Sequence, residues 1–419
     1  TKTPCREIQV SLRLYSFRGY SIRVYPGNYT VTDHPLFFAA ESMSLLGKLH
    51  LNNTRGPSVI VKCTVDPCID IDTKTRIRGS SNLEYRYYAP KIIENIEFRG
   101  TIDRGRGLIA SNVVQRQVET ADGMAAAKFQ IRNCIFSGFR GGAMVLREVS
   151  ALLILTGIRF ERNSARANSG GGGAMNIESC SKIILSDTFF VENRASKIGA
   201  TDGGAIVVTS VVVSSKLEMD NCTFRTNAAG PAFFTEQELA ESVGKGGAFY
   251  VARSGVLSVN NTIFEEDSAA VSGGAIGVSA ATAKLENVLV IRSRTQDAAI
   301  TCTASSLDAI ALTVTETQGG GRAVGGAFCA AQFNQCSFIE NRVGGALMFE
   351  TESNINILSS TFARNRALGK NGGAILCAEC EKLHIRNRTS FVDNAADRGG
   401  ALAVIRTVDA LIGDLTIVE

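Results

Sequence analysis

The side chains able to do chemistry are few and scattered. Three histidines occur, His34, His50 and His384. Imidazole can move protons near neutral pH, but His384 stands between apolar Leu383 and Ile385, and strand alternation turns it outward. Asp70 and Asp72 are two residues apart and would share a strand face, with Asp66 close by. Three carboxylates could begin a calcium site, yet hard cations take about six to eight oxygens, so a solvated acidic turn is the favoured reading. Glu265-Glu266-Asp267 sits at a turn and is expected to be exposed. Of eleven cysteines, Cys63/Cys68 and Cys377/Cys380 are local pairs that could close turns. Zinc would need four ligands, and Cys377 and Cys380 have no second pair near them in sequence. No catalytic, cofactor-binding or metal-binding residue is assigned, and no cofactor is expected.

The elements around these residues form a repeat. Phe-x-x-Asn recurs at Phe160, Phe190, Phe224, Phe338, Phe362 and Phe391, with degenerate copies at Phe136, at Phe264 ending in Asp267, and at Val290 ending in Ser293. It alternates with Gly-Gly-Ala, whose alanines are Ala143, Ala174, Ala205, Ala248, Ala275, Ala327, Ala346, Ala374 and Ala401. Seven and five residues before the Phe lie apolar pairs such as Leu153/Leu155 and Leu217/Met219; in the last copy Leu383/Ile385 lies one residue further back. Two residues before the Phe stands a small or β-branched residue, among them Cys134, Thr188, Cys222 and Cys336. The apolar period within each half is 2, that of a strand, and the phase slips at turn residues such as Asp220-Asn221 and Asn260-Asn261.

Each repeat therefore reads as three short strands separated by turns: an all-β, parallel β-helix solenoid. Stacked coils put equivalent side chains in ladders, a Phe ladder and a small-residue ladder inside, with Asn at a turn, where it tolerates the left-handed conformation and its amide can hydrogen-bond to the turn above. Tyr20 to Thr30, Leu49 with Leu51, Val59 to Val61 and Ile96 to Phe98 suggest irregular opening coils. The total is about twelve coils at one strand spacing each. Residues 1–128 form the irregular coils and 129–419 the regular ones, within one continuous domain. Cys134, Cys222 and Cys336, three coils apart on the inward ladder, should stay unpaired, whereas Cys63–Cys68 is the expected bridge. Cys5, Cys180, Cys302 and Cys329 receive no assignment.

From most Gly-Gly-Ala alanines to the next Phe the distance is 15 to 19 residues, and 11 from Ala327 to Phe338; from the Asn position to the next Gly-Gly it ranges from 3 to 32. Insertions are thus expected to leave from one turn and line one edge of the solenoid. Gly230 to Gly244, with a capping-box pattern at Thr235 to Glu238, should hold a short helix. Arg294 to Val324 reads as the longest and most mobile insertion, and these two segments are the expected partner-binding loops.

Composition narrows the function. Hydrophobic residues make up 45% and charged residues 20%, and the net charge is +4, too weak and mixed for a nucleic-acid partner. No apolar run reaches the roughly 18 residues of a membrane-spanning helix. The first residue is Thr1 and the last five, Leu415 to Glu419, read as mid-strand, so a trimmed or processed piece of a longer chain is expected. Five Asn-x-Ser/Thr sites, Asn28, Asn52, Asn221, Asn260 and Asn387, admit glycosylation.

The paired motif over residues 129–405 resembles the repeat of the polymorphic outer membrane proteins, a family of surface autotransporter adhesins. That resemblance implies a right-handed, pectin-lyase-like β-helix displayed at the cell surface or outside the cell. The same fold hosts polysaccharide lyases and hydrolases, but the Asp-Asp pair and Gly-His-Gly segment of polygalacturonase-like enzymes do not occur in this sequence. The expectation is a non-enzymatic structural or adhesive protein, or a subunit of an extracellular fibril. Its partners would be copies of itself, other extracellular surface proteins or polysaccharides. The alternative is a polysaccharide lyase or glycoside hydrolase of the same fold.

Overall fold

A computed structural model describes residues 21–32, 35–37, 44–47, 59–72, 92–102, 105–111, 117–120, 123–126, 128–165, 171–195, 202–209, 215–230, 244–253 and 255–418. The alternating apolar positions form strands stacked into three long parallel sheets. The first sheet holds 14 strands from Ser21–Val24 to Asp409–Ile412, the second 14 from Gly27–Val31 to Leu415–Val418, and the third 13 from Leu36–Phe37 to Leu402–Ile405. Parallel strands need a crossover, and here the crossover is the next two sides of the coil. The described residues contain no helix, hence none long enough to cross a membrane.

Fourteen strands in a sheet, not about twelve, set the length of the solenoid at roughly 60 Å with one strand spacing per coil. One of the extra coils is the segment read as the longest insertion. Ala298–Thr303, Ser306–Ile310 and Thr313–Thr315 are its three strands, with Val314 where other coils carry Phe and Thr317 where they carry Asn. Neither substitute matches the repeat signature, which hid a regular coil as a loop. The spacing of 11 has a related cause. Val324 pairs with Leu347, so Ala323 rather than Ala327 is the partner of Ala346, and Gly325-Gly326-Ala327 lies further along the strand. The helix expected within Gly230 to Gly244 falls on residues 231–243, outside the described residues, as do Leu49 and Leu51.

The interior follows from the ladders. Phe98, Phe136, Phe160, Phe190, Phe224 and Phe264 are fully buried in one file, with ring centroids 4.5–5.5 Å apart and planes within 24°. Val290 and Val314 interrupt the file, which resumes at Phe338, Phe362 and Phe391, 5.0 and 5.1 Å apart. The one-residue offset before Phe391 is absorbed by two consecutive left-handed residues, Asn387 and Arg388, with φ of 59° and 57°. In the Gly-Gly-Ala step the two glycines have separate reasons. Gly203 needs φ of 65°, and a Cβ on Gly204 would stand 2.0 Å from the carbonyl oxygen of Gly247.

The Asn of Phe-x-x-Asn does something other than take the left-handed conformation. That falls to the residue before it, as at Arg162, Glu192 and Thr226 with φ of 50–56°. The Asn itself turns inward. Asn193 is fully buried; its Nδ2 donates to the Phe160 carbonyl at 3.0 Å and to Asn227 Oδ1 at 3.0 Å. Its Oδ1 accepts from the backbone N and Nδ2 of Asn163 at 3.2 and 3.0 Å. One amide thus satisfies polar groups of both neighbouring coils, which a buried turn requires.

Candidate functional site

The Asn turn opens onto a fourth, short sheet: Arg194–Ala195, Ala228–Ala229, Ser268–Ala269, Arg294–Thr295 and Gln318–Gly319. Its first residues align as Arg194, Ala228, Ser268, Arg294 and Gln318. Two small side chains between two arginines leave a groove of about 380 Å³, lined also by Thr226, Glu266 and Arg292. The arginines lie three strand spacings apart, roughly 14 Å. Arg292 is engaged by carboxylates, Nη2 with Glu265 at 2.6 Å and Nε with Glu266 at 3.1 Å. Arg294 Nη2 donates to Gln318 Oε1 at 3.3 Å.

A charged cluster lies in the chain that follows Arg294. Asp297 follows Arg294 by three residues, and its backbone oxygen accepts from the Arg322 amide at 2.7 Å. Burial raises the Asp297 carboxyl above its ordinary range, while Arg322 and Lys370 pull it back down. Burial likewise lowers Arg322 and Lys370, the latter also repelled by Arg322. Lys370 Nζ donates to the Gly320 carbonyl at 3.4 Å, tying the cluster to the strand that ends the groove. A carboxyl that holds its proton to higher pH, beside two cations, is suited to proton transfer to a substrate oxygen. Sequence reasoning missed Asp297 because it occupies a Gly-Gly position of an unrecognised coil. The nearest signal was its place before Ala298-Ala299-Ile300, a disguised Gly-Gly-Ala step.

Of the sequence candidates, Glu266 lines this groove, whereas His384 and Asp66 do not. His384 does point outward, with Nε2 3.0 Å from Asp409 Oδ2 and Nδ1 3.0 Å from Arg386 Nη2. Asp66 is held by Arg106, Nε to Oδ1 at 2.9 Å and Nη2 to Oδ2 at 3.1 Å. Among the described residues no three histidine, cysteine or acidic side chains converge as a metal site; His34 and His50 lie outside them. Glu265-Glu266-Asp267 divides: Glu265 and Glu266 face solvent and arginines, but Asp267 is fully buried, contrary to expectation, because it takes the Asn place in the ladder.

Cysteines divide by depth and direction. Cys134, Cys222 and Cys336 are buried and unpaired, as is Cys180. Burial pushes Cys134, Cys180 and Cys222 up to about 12 and Cys336 up to about 11, which makes these thiols unreactive. With the added coil, Cys222 and Cys336 are four coils apart. Cys63–Cys68 and Cys377–Cys380 are disulfides, and so is the unassigned pair Cys302–Cys329.

Three stacked parallel sheets closed by turns, with a groove on one face, define the β-helix class of solenoid. Residues 49–263 match the family described as right handed beta helix region. The chain belongs to the right-handed β-helix family. No curated protein sequence matches the chain significantly. Among solved structures it is similar to the catalytic unit of a thermostable GH87 α-1,3-glucanase from Streptomyces thermodiastaticus, with TM-score 0.50, 11% identity, and coverage of 97% of this chain and 66% of that one. A GH87 α-1,3-glucanase catalytic domain in complex with tetrasaccharides has TM-score 0.48, 10% identity, and coverage of 99% and 68%. The A-module of the Azotobacter vinelandii mannuronan C-5 epimerase has TM-score 0.25, 11% identity, and coverage of 98% and 94%. The chain thus spans about two-thirds of the length of the first of these, and at such identities the likeness is one of fold.

The expectation of a non-enzymatic structural or adhesive protein is corrected by the first of these likenesses. It rested on the repeats, the missing catalytic signatures and the loops expected along one edge, whereas the structure to which 97% of the chain is similar in fold is a glycoside hydrolase catalytic unit.

Proposed function

We propose that the chain is the β-helix of a carbohydrate-active enzyme that acts on a polysaccharide laid along the groove of the fourth sheet. The observation that carries this reading is the open groove between Arg194 and Arg294, with Asp297, a carboxyl raised by desolvation, three residues beyond Arg294. Asp297 serves as general acid toward the glycosidic oxygen. Glu266, 3.1 Å from Arg292 Nε on the same groove, is the second carboxylate that glycosidic cleavage calls for. Arg194 and Arg294 grip the polymer. Three disulfides support an oxidising, extracellular setting. The Phe-x-x-Asn and Gly-Gly-Ala pattern supports kinship of the repeat with that of the polymorphic outer membrane proteins, and residues 1–128 and 129–419 are taken as one continuous domain.

The test is incubation of the purified chain with a panel of neutral and acidic polysaccharides, scoring new reducing ends and unsaturated chain ends. Product release that disappears in Asp297→Asn, with an unchanged circular dichroism spectrum, is the expected result. No product from any polymer would overturn the reading.

A further inference from the structure

Asp267 breaks a chemical rule of the ladder in which it stands. Six asparagines donate Nδ2 to the carbonyl of the inward residue one coil back: Asn163 to Phe136, Asn193 to Phe160, Asn227 to Phe190, Asn341 to Val314, Asn365 to Phe338 and Asn394 to Phe362, at 2.8–3.1 Å. Asp267 is aligned with them and fully buried. Its Oδ1 does the work of an amide oxygen, accepting from Asn227 N at 2.8 Å and Nδ2 at 2.9 Å. Its Oδ2 takes the place of the amide nitrogen and has no hydrogen-bond partner. By coil equivalence that place faces the carbonyl of Phe224. A carboxylate there would set two acceptors against each other; a carboxylic acid can donate and restore the ladder.

We propose that Asp267 is a built-in neutral carboxylic acid whose ionisation breaks the ladder and loosens the coil under the groove, so that the groove is sensitive to pH. Glu266 and Ser268, on either side of Asp267 in sequence, both line that groove. The charged groups around it are Glu265 and Glu266 on its own segment, Arg225 from the coil before, 3.6 Å from Glu265, and Arg292 from the coil after, bound to both glutamates. The ladder neighbours Asn227 and Ser293 carry no charge, so no cation touches the buried carboxyl itself. Desolvation, reinforced by Glu265 and Glu266, raises it to about 8. The inference concerns the fold and holds whichever polymer the groove takes.

The sign follows from the raised value. Between about pH 4 and 8 the folded chain holds a proton that the unfolded chain has released, so stability from this group falls as pH rises through that window. The test compares the full chain with Asp267→Asn, which supplies the amide of the other coils. Denaturant midpoints are measured at pH 5, 7 and 9, and amide exchange over residues 263–269 and 289–295 is compared after correction for the intrinsic rate. The wild type should lose more stability than the variant from pH 5 to 9, the variant should be the more stable at pH 9, and the wild-type segments should open there alone. Equal pH dependence in the two proteins, or a variant less stable at pH 9, would overturn the proposal.

Discussion

Cys302 and Cys329 lie 27 residues apart in sequence, yet their Cα atoms are 5.8 Å apart and a disulfide joins them. Cys302 is the last residue but one of a third-sheet strand, Ala298–Thr303, and Cys329 precedes the first-sheet strand Ala330–Asn334. The bridge therefore ties one coil to the next. It does so near the stretch where Val290 and Val314 interrupt the ring stack.

A bridge of this span removes chain entropy from the unfolded state, and a loop of this size is worth about 3–4 kcal/mol. The double variant Cys302→Ala with Cys329→Ala should lower the stability of the solenoid by that order. Urea unfolding under non-reducing conditions measures it. Reductant should reduce the wild type toward the variant and leave the variant's own bridge region unchanged.

Phe224 has rings on both sides, Phe190 at 4.5 Å and Phe264 at 4.7 Å. Removing it opens a cavity that two flanking coils, pinned by parallel ladders, cannot close. Phe224→Ala should cost about 3–5 kcal/mol. Val314→Ala, in the ring-free gap, should cost much less, about 1–3 kcal/mol on the same reasoning. Thermal or denaturant melts of the two variants check the order, and an equal loss would show that the stack adds nothing beyond volume.

Asn193→Ala should be more damaging than its place at a turn of the repeat suggests. It strands the Phe160 carbonyl and the Asn163 amide in the interior and takes one of two donors from Asn227 Oδ1, which keeps the backbone N–H of residue 193. Each stranded buried group costs about 1–3 kcal/mol, so a loss of at least about 2 kcal/mol is expected. Asn193→Asp should instead behave as a second buried acid. Its loss should be mild at pH 5 and grow toward pH 9, since a carboxyl raised by burial contributes less stability as pH rises. Denaturation curves at the two pH values decide this.

Particular residues show how far the sequence could be read. Strand-period pairs such as Leu153/Leu155 were legible because burial on one face leaves a period of 2, and so was the Phe file, since stacked coils repeat an identical environment. Residues that satisfy the environment by another chemistry were not. Val314 fills the interior without an aromatic ring, and Thr317 replaces Asn, so a whole coil passed as a loop. Ala323 does the work of the Gly-Gly-Ala alanine while a chance Gly325-Gly326-Ala327 imitates it four residues later. Asp267 looks like part of an acidic surface run because sequence does not say that its neighbours Glu266 and Ser268 point the other way. Asp297 was invisible for the same reason as its coil. Cys302 and Cys329 could not be paired until that coil was recognised, since only then do they fall on adjacent turns.

The groove gives the last prediction. Arg194 stands at one end of the groove and Arg294, beside Gln318, near the other, with only Ala228 and Ser268 between the two arginines in the sheet. A polymer lying along the solenoid axis would meet both guanidiniums, and planar fork donors suit both carboxylate and hydroxyl pairs. The double variant Arg194→Ala with Arg294→Ala should weaken polysaccharide retention in affinity electrophoresis while leaving the melting temperature nearly unchanged, because neither side chain packs in the core. Asp297→Asn should do the opposite: binding is kept, and turnover is lost. As an acid, Asp297 acts only while protonated, so turnover should fall as pH rises. Because burial raises this carboxyl, the fall should come at higher pH than for an ordinary carboxylate. Converting Lys370 to Met removes one of the two charges that lower it, so the same fall should move to still higher pH. A pH profile identical in Lys370→Met and wild type would remove Asp297 from the chemistry, and retention unaffected by loss of both arginines would move the polymer off this face.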